Sequence, residues 1–162
     1  MLFRSFVNRT SNDSQVYITQ VGNASTITVN QTGTKNNYTY VNDVGTNNNI
    51  SVTQSGNAST IANYSRTTVN GNTNTVSVTQ SSTGGAKGSF VNVSDNNNNL
   101  TVSQSGSGSH YAEVGLTGGN KTVSITQSGT ASQMASVQLS GTPTNLTLQQ
   151  SGSTQQFYSI QF

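Results

Sequence analysis

The stretch VSITQSG, residues 123–129, places aliphatic side chains at Val123 and Ile125 and a glutamine at Gln127 on one alternation, with Ser and Thr between and a glycine after. Alternation at every second residue is the signature of a β-strand, because successive side chains leave a pleated backbone on opposite faces. The glycine two positions past the glutamine supplies a turn residue that tolerates positive φ. Six further segments share the alternation ending in Gln, five of them with the glycine: VYITQVG from Val16, ITVNQTG from Ile27, ISVTQSG from Ile50, VSVTQSS from Val76, where Ser82 replaces it, LTVSQSG from Leu100 and LTLQQSG from Leu146. Their anchors are Gln20, Gln31, Gln54, Gln80, Gln104, Gln127 and Gln150, with successive spacings of 11, 23, 26, 24, 23 and 23. The repeat is therefore about 23 residues long, and the half-period at the start points to two related arms per repeat.

The second arm alternates too: Ala112, Val114 and Leu116; Ala135, Val137 and Leu139; Tyr158, Ile160 and Phe162. Gly118 and Gly141 mark a second turn, and polar runs such as the four asparagines at 96–99 lead back to the next strand. The departures from the common spacing are assigned to insertions around residues 66–74 and in GGAKG at 84–88. A unit of two short strands and two turns cannot bury its aliphatic face alone, but stacked units lay Val on Val and close a narrow core. The predicted fold is all-β, a parallel β-solenoid of about six to seven rungs with two short strands each. At the strand spacing of ~4.8 Å it makes a rod about 30 Å long. Residues 1–13 are read as an apolar lead or docking segment and 14–162 as the solenoid, ending in an aromatic last rung.

The glutamines share the face of the aliphatic residues, where an unpaired amide costs a few kcal/mol. Identical amides repeated along an axis can satisfy one another, so all seven are expected in a structural ladder. Composition agrees with an economical core: 162 residues, 30% hydrophobic, 6% charged and a net charge of only +2, short of the charge that keeps polar chains disordered. The six basic residues, Arg4, Arg9, Lys35, Arg66, Lys87 and Lys121, are scattered and form no run to follow a phosphate backbone, so no nucleic-acid partner is expected despite a pI of about 9.1. Cysteine is absent, which removes disulfides and thiolate metal sites. No apolar run reaches the length of a spanning helix, and MLFRSFVNRT lacks the apolar core of a secretory signal, so neither a membrane span nor signal-directed export is expected.

These residues resemble the curlin repeat of bacterial curli fibres. Ser14, Gln20, Gly22 and Gln31 stand in register with its serine, first glutamine, glycine and last glutamine, while Ser25 replaces its asparagine and Ile27 its alanine. Elsewhere the first arm keeps Gln and Gly, but the second arm loses its glutamine. The resemblance implies a solenoid of two strands per rung. It also implies one of two settings: a secreted amyloid fibre on the cell surface, or a structural protein of a tailed phage, where curlin-like repeats also occur.

Catalytic chemistry is scarce. One histidine, His110, and four acids, Asp13, Asp43, Asp95 and Glu113, are the whole supply of carboxylates and imidazole. His110 and Glu113, three apart in an extended arm, face opposite sides, and His110 is expected to be solvent-exposed. No catalytic residue, metal ligand, cofactor or small-molecule substrate is expected. The turns recur in Asn and Gly and lack the repeated Asp of a calcium-binding solenoid. The Asn-x-Ser/Thr triplets at Asn23, Asn57 and Asn145 read as turn chemistry. Tyr17, Tyr38, Tyr40, Tyr64 and Tyr111 fall at no fixed repeat position, so no sugar-stacking row is predicted. The alternation Tyr158, Ile160, Phe162 would also suit the closing strand of an outer-membrane barrel, but strands of about five residues are too short to span one.

None of the charged residues falls in the seven aliphatic-to-Gln strands, and the single proline is Pro143 in a turn, so little opposes stacking on another copy. Apolar residues gather at the two ends: Leu2, Phe3 and Phe6, then Phe157, Tyr158, Ile160 and Phe162. They are predicted to cap or dock the rod. The expected role is a non-enzymatic assembly module of a virion made in the host cytoplasm, as a tail, fibre, baseplate or surface protein. Its expected partners are copies of itself and other structural proteins. The alternative is a secreted, curli-like fibre subunit.

Overall fold

The computed structural model describes residues 4–33, 36–56 and 62–162. In chain order its strands are β1 (Arg4–Arg9), β2 (Gln15–Val21), β3 (Thr26–Gly33), β4 (Asn37–Val44), β5 (Asn49–Gly56), β6 (Asn63–Asn70) and β7 (Thr75–Ser82). They continue as β8 (Lys87–Ser94), β9 (Asn99–Gly106), β10 (His110–Thr117), β11 (Thr122–Gln127), β12 (Gln133–Leu139), β13 (Asn145–Gln150) and β14 (Gln156–Gln161). Odd-numbered strands form one seven-stranded sheet and even-numbered strands a second, with every pairing parallel. The chain is thus a parallel β-solenoid of seven rungs, each contributing one strand to each sheet.

Strand lengths range from the 6 residues of β1 to the 8 residues of β3. They exceed the alternating core of each repeat because pairing extends into the flanking polar positions. Arg4–Arg9, within the stretch expected as a lead, pairs with β3 through Val7 opposite Val29 and supplies the first strand of the odd sheet.

The core is the seam between the sheets. The odd sheet fills it with Ile27 and Val29, Ile50 and Val52, Val76 and Val78, Leu100 and Val102, and Val123 and Ile125. The even sheet answers with Val41, Val69, Val91, Val93, Val114, Leu116, Val137 and Leu139. Each side chain lies over its equivalent one rung away, as Ile125 does between Val102 and Leu148. β-Branched residues suit this because their restricted rotamers stack without loss of freedom.

Register fixes where the repeat gains length. Gln31 precedes Asn37 by six residues, whereas Gln54 precedes the paired Asn63 by nine, so the three extra residues of that rung lie between Gly56 and Asn63. The insertion expected at 66–74 is therefore misplaced; residues 63–75 keep the ordinary spacing. The additional residue near GGAKG does fall between Ser82 and Lys87.

Corners need backbone that side chains rarely allow. Gly22, Gly45 and Gly71 stack at one corner with φ of 136°, 148° and 146°. A Cβ at Gly45 would sit 1.8 Å from the carbonyl oxygen of Gly71, so rung spacing itself excludes a larger residue there.

Candidate functional site

Six glutamines run through the interior as one column. From Gln31 to Gln150, each Nε2 donates to the Oε1 of the next glutamine: Gln31 to Gln54 at 2.9 Å, Gln54 to Gln80 at 2.8 Å, Gln80 to Gln104 at 2.9 Å, Gln104 to Gln127 at 2.8 Å and Gln127 to Gln150 at 2.7 Å. The second hydrogen on each of these amides crosses the seam to a main-chain carbonyl of the even sheet, as from Gln80 to Tyr64 at 2.9 Å and from Gln104 to Gly88 at 2.8 Å. Each glutamine thus ties neighbouring rungs and both sheets at once. All six are buried.

Gln20 stands outside this column. Its strand belongs to the even sheet, where it pairs opposite Asp43, and its Nε2 donates to the Ser25 carbonyl at 3.1 Å. The half-period places it on the other arm of the first rung. At the foot of the column Gln31 Oε1 is buried without a partner. The residue in register below it is Arg9, whose Nη1 instead donates to the Ser14 carbonyl at 2.7 Å.

Both corners carry columns of hydrogen-bonding side chains that the repeat pattern hides among its polar residues, side-chain acceptors of main-chain N–H groups at one and side-chain donors at the other. Asn48 Oδ1 accepts from the Asn74 amide at 2.8 Å, Asn74 Oδ1 from Asn98 at 2.9 Å and Asn98 Oδ1 from Lys121 at 3.0 Å. At the opposite corner Asn37, Asn63, Lys87, His110, Gln133 and Gln156 occupy successive rungs. Five donate to the carbonyl that follows the column glutamine, as from His110 Nε2 to Ser105 at 2.7 Å and from Gln133 to Ser128 at 2.6 Å. Lys87 reaches three carbonyls, of Gly85, Gly106 and Gly108, and burial draws its pKa down to about 8.

His110 is therefore buried, not exposed as expected, because its position is a corner donor's and not a free strand face. Burial, joined by the nearby Lys87 charge, lowers its pKa against the opposing bond to Ser105. Glu113 does point outward. The signal for the corner was present in the sequence: every residue at that register from Asn37 to Gln156 carries a side-chain N–H.

Asp43 is a buried acid in the same framework. Its Oδ1 accepts from Asn48 Nδ2 at 2.7 Å, while Oδ2 has no partner. Burial raises its pKa above 3.8, against hydrogen bonds from Asn48 and Ser25. A raised carboxyl pKa favours the fold below 3.8, and that contribution is lost as pH climbs through the folded-state value. Asp43→Asn is accordingly expected to raise stability at pH 7 by about 1 kcal/mol, or ~3 °C in melting temperature, with no gain below pH 3.8. Calorimetry of both proteins across that range checks it.

The outer face of the even sheet corrects the reading of the tyrosines. Gln15, Tyr38, Tyr64, Gly88, Tyr111, Met134 and Phe157 share one column, and Tyr17, Tyr40, Arg66, Phe90, Glu113, Ser136 and Ser159 the next. Phe90 packs between Tyr64 and Tyr111, with ring centroids 5.1 and 5.4 Å away, and Arg66 lies 5.8 Å from the centre of the Tyr40 ring. Counting from the glutamines breaks the first row at Tyr64, which the insertion before Asn63 sets ten residues past Gln54, whereas Tyr38 and Tyr111 both stand seven past theirs. The outer face of the odd sheet is mostly Ser and Thr, as in Thr28, Ser51, Ser77, Thr101, Ser124 and Thr147, with Phe6 of β1 in register with Thr28.

At the ends, Phe6 and Val7 on β1 are exposed, as are Phe157, Tyr158 and Phe162 in the last rung. Ile160 is partly buried against the core. Leu2, Phe3, Lys35 and Asn57 lie outside the described residues. Among the described residues no helix is long and apolar enough to cross a membrane.

Fold and columns together define a parallel β-solenoid held by an internal amide ladder, an architecture suited to a structural or assembly role. No family model, curated protein or solved structure matches the chain.

Proposed function

We infer that this protein is a non-enzymatic assembly module, a rigid β-solenoid component of a tailed-phage virion built in the host cytoplasm, with other structural proteins and further copies of itself as partners. The observation that carries this reading is the chemistry of the two ends. Head-to-tail stacking would set Leu146, Leu148 and Gln150 of one copy against Ser5, Val7 and Arg9 of the next, and Tyr158, Ile160 and Phe162 against Val16, Ile18 and Gln20. The middle pairs, Leu148 with Val7 and Ile160 with Ile18, are apolar on both sides and would continue the core. Strand edges free of charge and proline favour such docking, and β2, β13 and β14 provide them, while β1 carries Arg4 and Arg9.

Arg9 favours a counted assembly over an open-ended fibre. The ladder ends at Gln150, whose Nε2 donates to the Met134 and Gln156 carbonyls, and the guanidinium that would stand next in the column offers no acceptor with which to extend it. A secreted curli-like fibre is the second reading, favoured by the uninterrupted Gln column from Gln31 to Gln150. Quantitative mass spectrometry of particles purified from the native source is expected to find the chain at a fixed copy number. Recovery solely as free fibres at the cell surface would instead assign it to the secreted class.

A further inference from the structure

The aromatic outer face of the even sheet has no role in the stack and is chemically unlike the hydroxyl-covered face opposite. Tyr17, Tyr40, Tyr64, Met134 and Phe157 are exposed upon it, with Phe90 and Tyr111 half-covered between them. A monomer rarely leaves so many large aromatic and apolar side chains on one face to water. Seven strands spaced ~4.8 Å, each about 25 Å long, offer roughly 700 Å², close to the ~800 Å² per partner of a standard stable interface.

The face also carries a charge pattern that selects its occupant. Arg66 in the third rung and Glu113 in the fifth share one column, with Phe90 in the fourth and central rung between them. At two rung spacings, roughly 10 Å, they are too far apart to bond each other. A two-fold axis along the strand direction through the fourth rung maps this column onto itself in reverse. It sets Arg66 against Glu113 of a second copy twice over, Phe90 against Phe90, Tyr64 against Tyr111 and Tyr38 against Met134. Such a surface is self-complementary, as an isologous interface requires. Rotation about the rod axis would instead oppose Arg66 to Arg66 and Glu113 to Glu113, which like-charge repulsion disfavours.

We propose that two copies pack side by side and antiparallel through the outer face of the even sheet, with reciprocal Arg66–Glu113 pairs flanking Phe90. This lateral contact is separate from the end contacts above: it doubles the width of the rod and leaves its length unchanged.

Charge reversal tests it. Both side chains are exposed, so Arg66→Glu and Glu113→Arg leave the fold intact, as circular dichroism is to confirm. Sedimentation equilibrium is expected to show a dimer for the parent protein, at least tenfold weaker association for either single reversal, and recovery in the double variant Arg66→Glu/Glu113→Arg. A parent protein that stays monomeric at high micromolar concentration overturns the proposal, and retention on immobilised polysaccharide would then give the aromatic columns to a glycan. Association indifferent to both reversals but abolished by Phe162→Asp also overturns it, and would leave the end-docking reading standing.

Discussion

Ile125→Asp is expected to abolish the cooperative melt of the solenoid, while Ser124→Asp, one residue earlier, melts within a degree or two of the parent protein. Ile125 is wholly buried and lies between Val102 and Leu148 in the column, so a carboxylate there meets only hydrocarbon. An unpaired buried charge costs at least ~4 kcal/mol, a large part of the 5–15 kcal/mol that holds a typical domain together. Val102 cannot move aside, because the rung beyond it holds it through Val78. Ser124 points outward between Thr101 and Thr147, where a charge stays solvated and shifts stability by no more than ~0.5 kcal/mol. Val102→Asp should behave as Ile125→Asp does. Equal melts for the inward and outward variants in a thermal scan followed by circular dichroism would refute the assignment of faces.

The second large effect is expected at the centre of the amide column. Gln80→Leu keeps side-chain volume but removes three hydrogen bonds, those from Gln54, to Gln104 and to the Tyr64 carbonyl. Gln104 Oε1 and one Nε2 hydrogen of Gln54, which keeps only its bond to Tyr38, are left unpaired inside, and the part-buried Tyr64 carbonyl loses its side-chain donor. At ~1–3 kcal/mol for each buried group left unpaired, the loss is about 3–5 kcal/mol. Gln150→Leu, at the end of the column, breaks one ladder bond and its own two carbonyl contacts in a more open rung, and should cost about half as much. Chemical denaturation of both variants measures the difference. A column contributing nothing beyond packing would give two small and equal losses.

The parts of this molecule that were plain in its sequence are those that repeat at fixed spacing. Strand identity, parallel stacking and the inward face of Val102, Gln104, Ile125 and Gln127 all follow from alternation and a constant repeat length. What stayed hidden depends on register between rungs. Tyr38 and Tyr111 stand seven residues past their glutamines, but three extra residues before Asn63 put Tyr64 at ten and Gly88 takes the place in the next rung, so the row is plain only when paired strands align it. Lys87 and His110 were obscured for a different reason. Charge and imidazole ordinarily signal solvent, but a corner lined by main-chain carbonyls rewards any N–H that reaches it, whether from asparagine, glutamine, histidine or lysine. Gln20 was drawn into the wrong column because the first glutamines of the chain lie on opposite arms, Gln20 in the even sheet and Gln31 in the odd one.

The constancy of register has a consequence for how such a molecule changes over time. Residues 99–121 form one complete turn whose two cut points, after Asn98 and after Lys121, are equivalent places in successive turns. Excising or duplicating that block joins like to like, so every column closes over the gap. Length is therefore adjustable in whole graduations of ~4.8 Å, without redesign of any contact. The chain works as a ruler, and one turn of sequence is the interval between its markings.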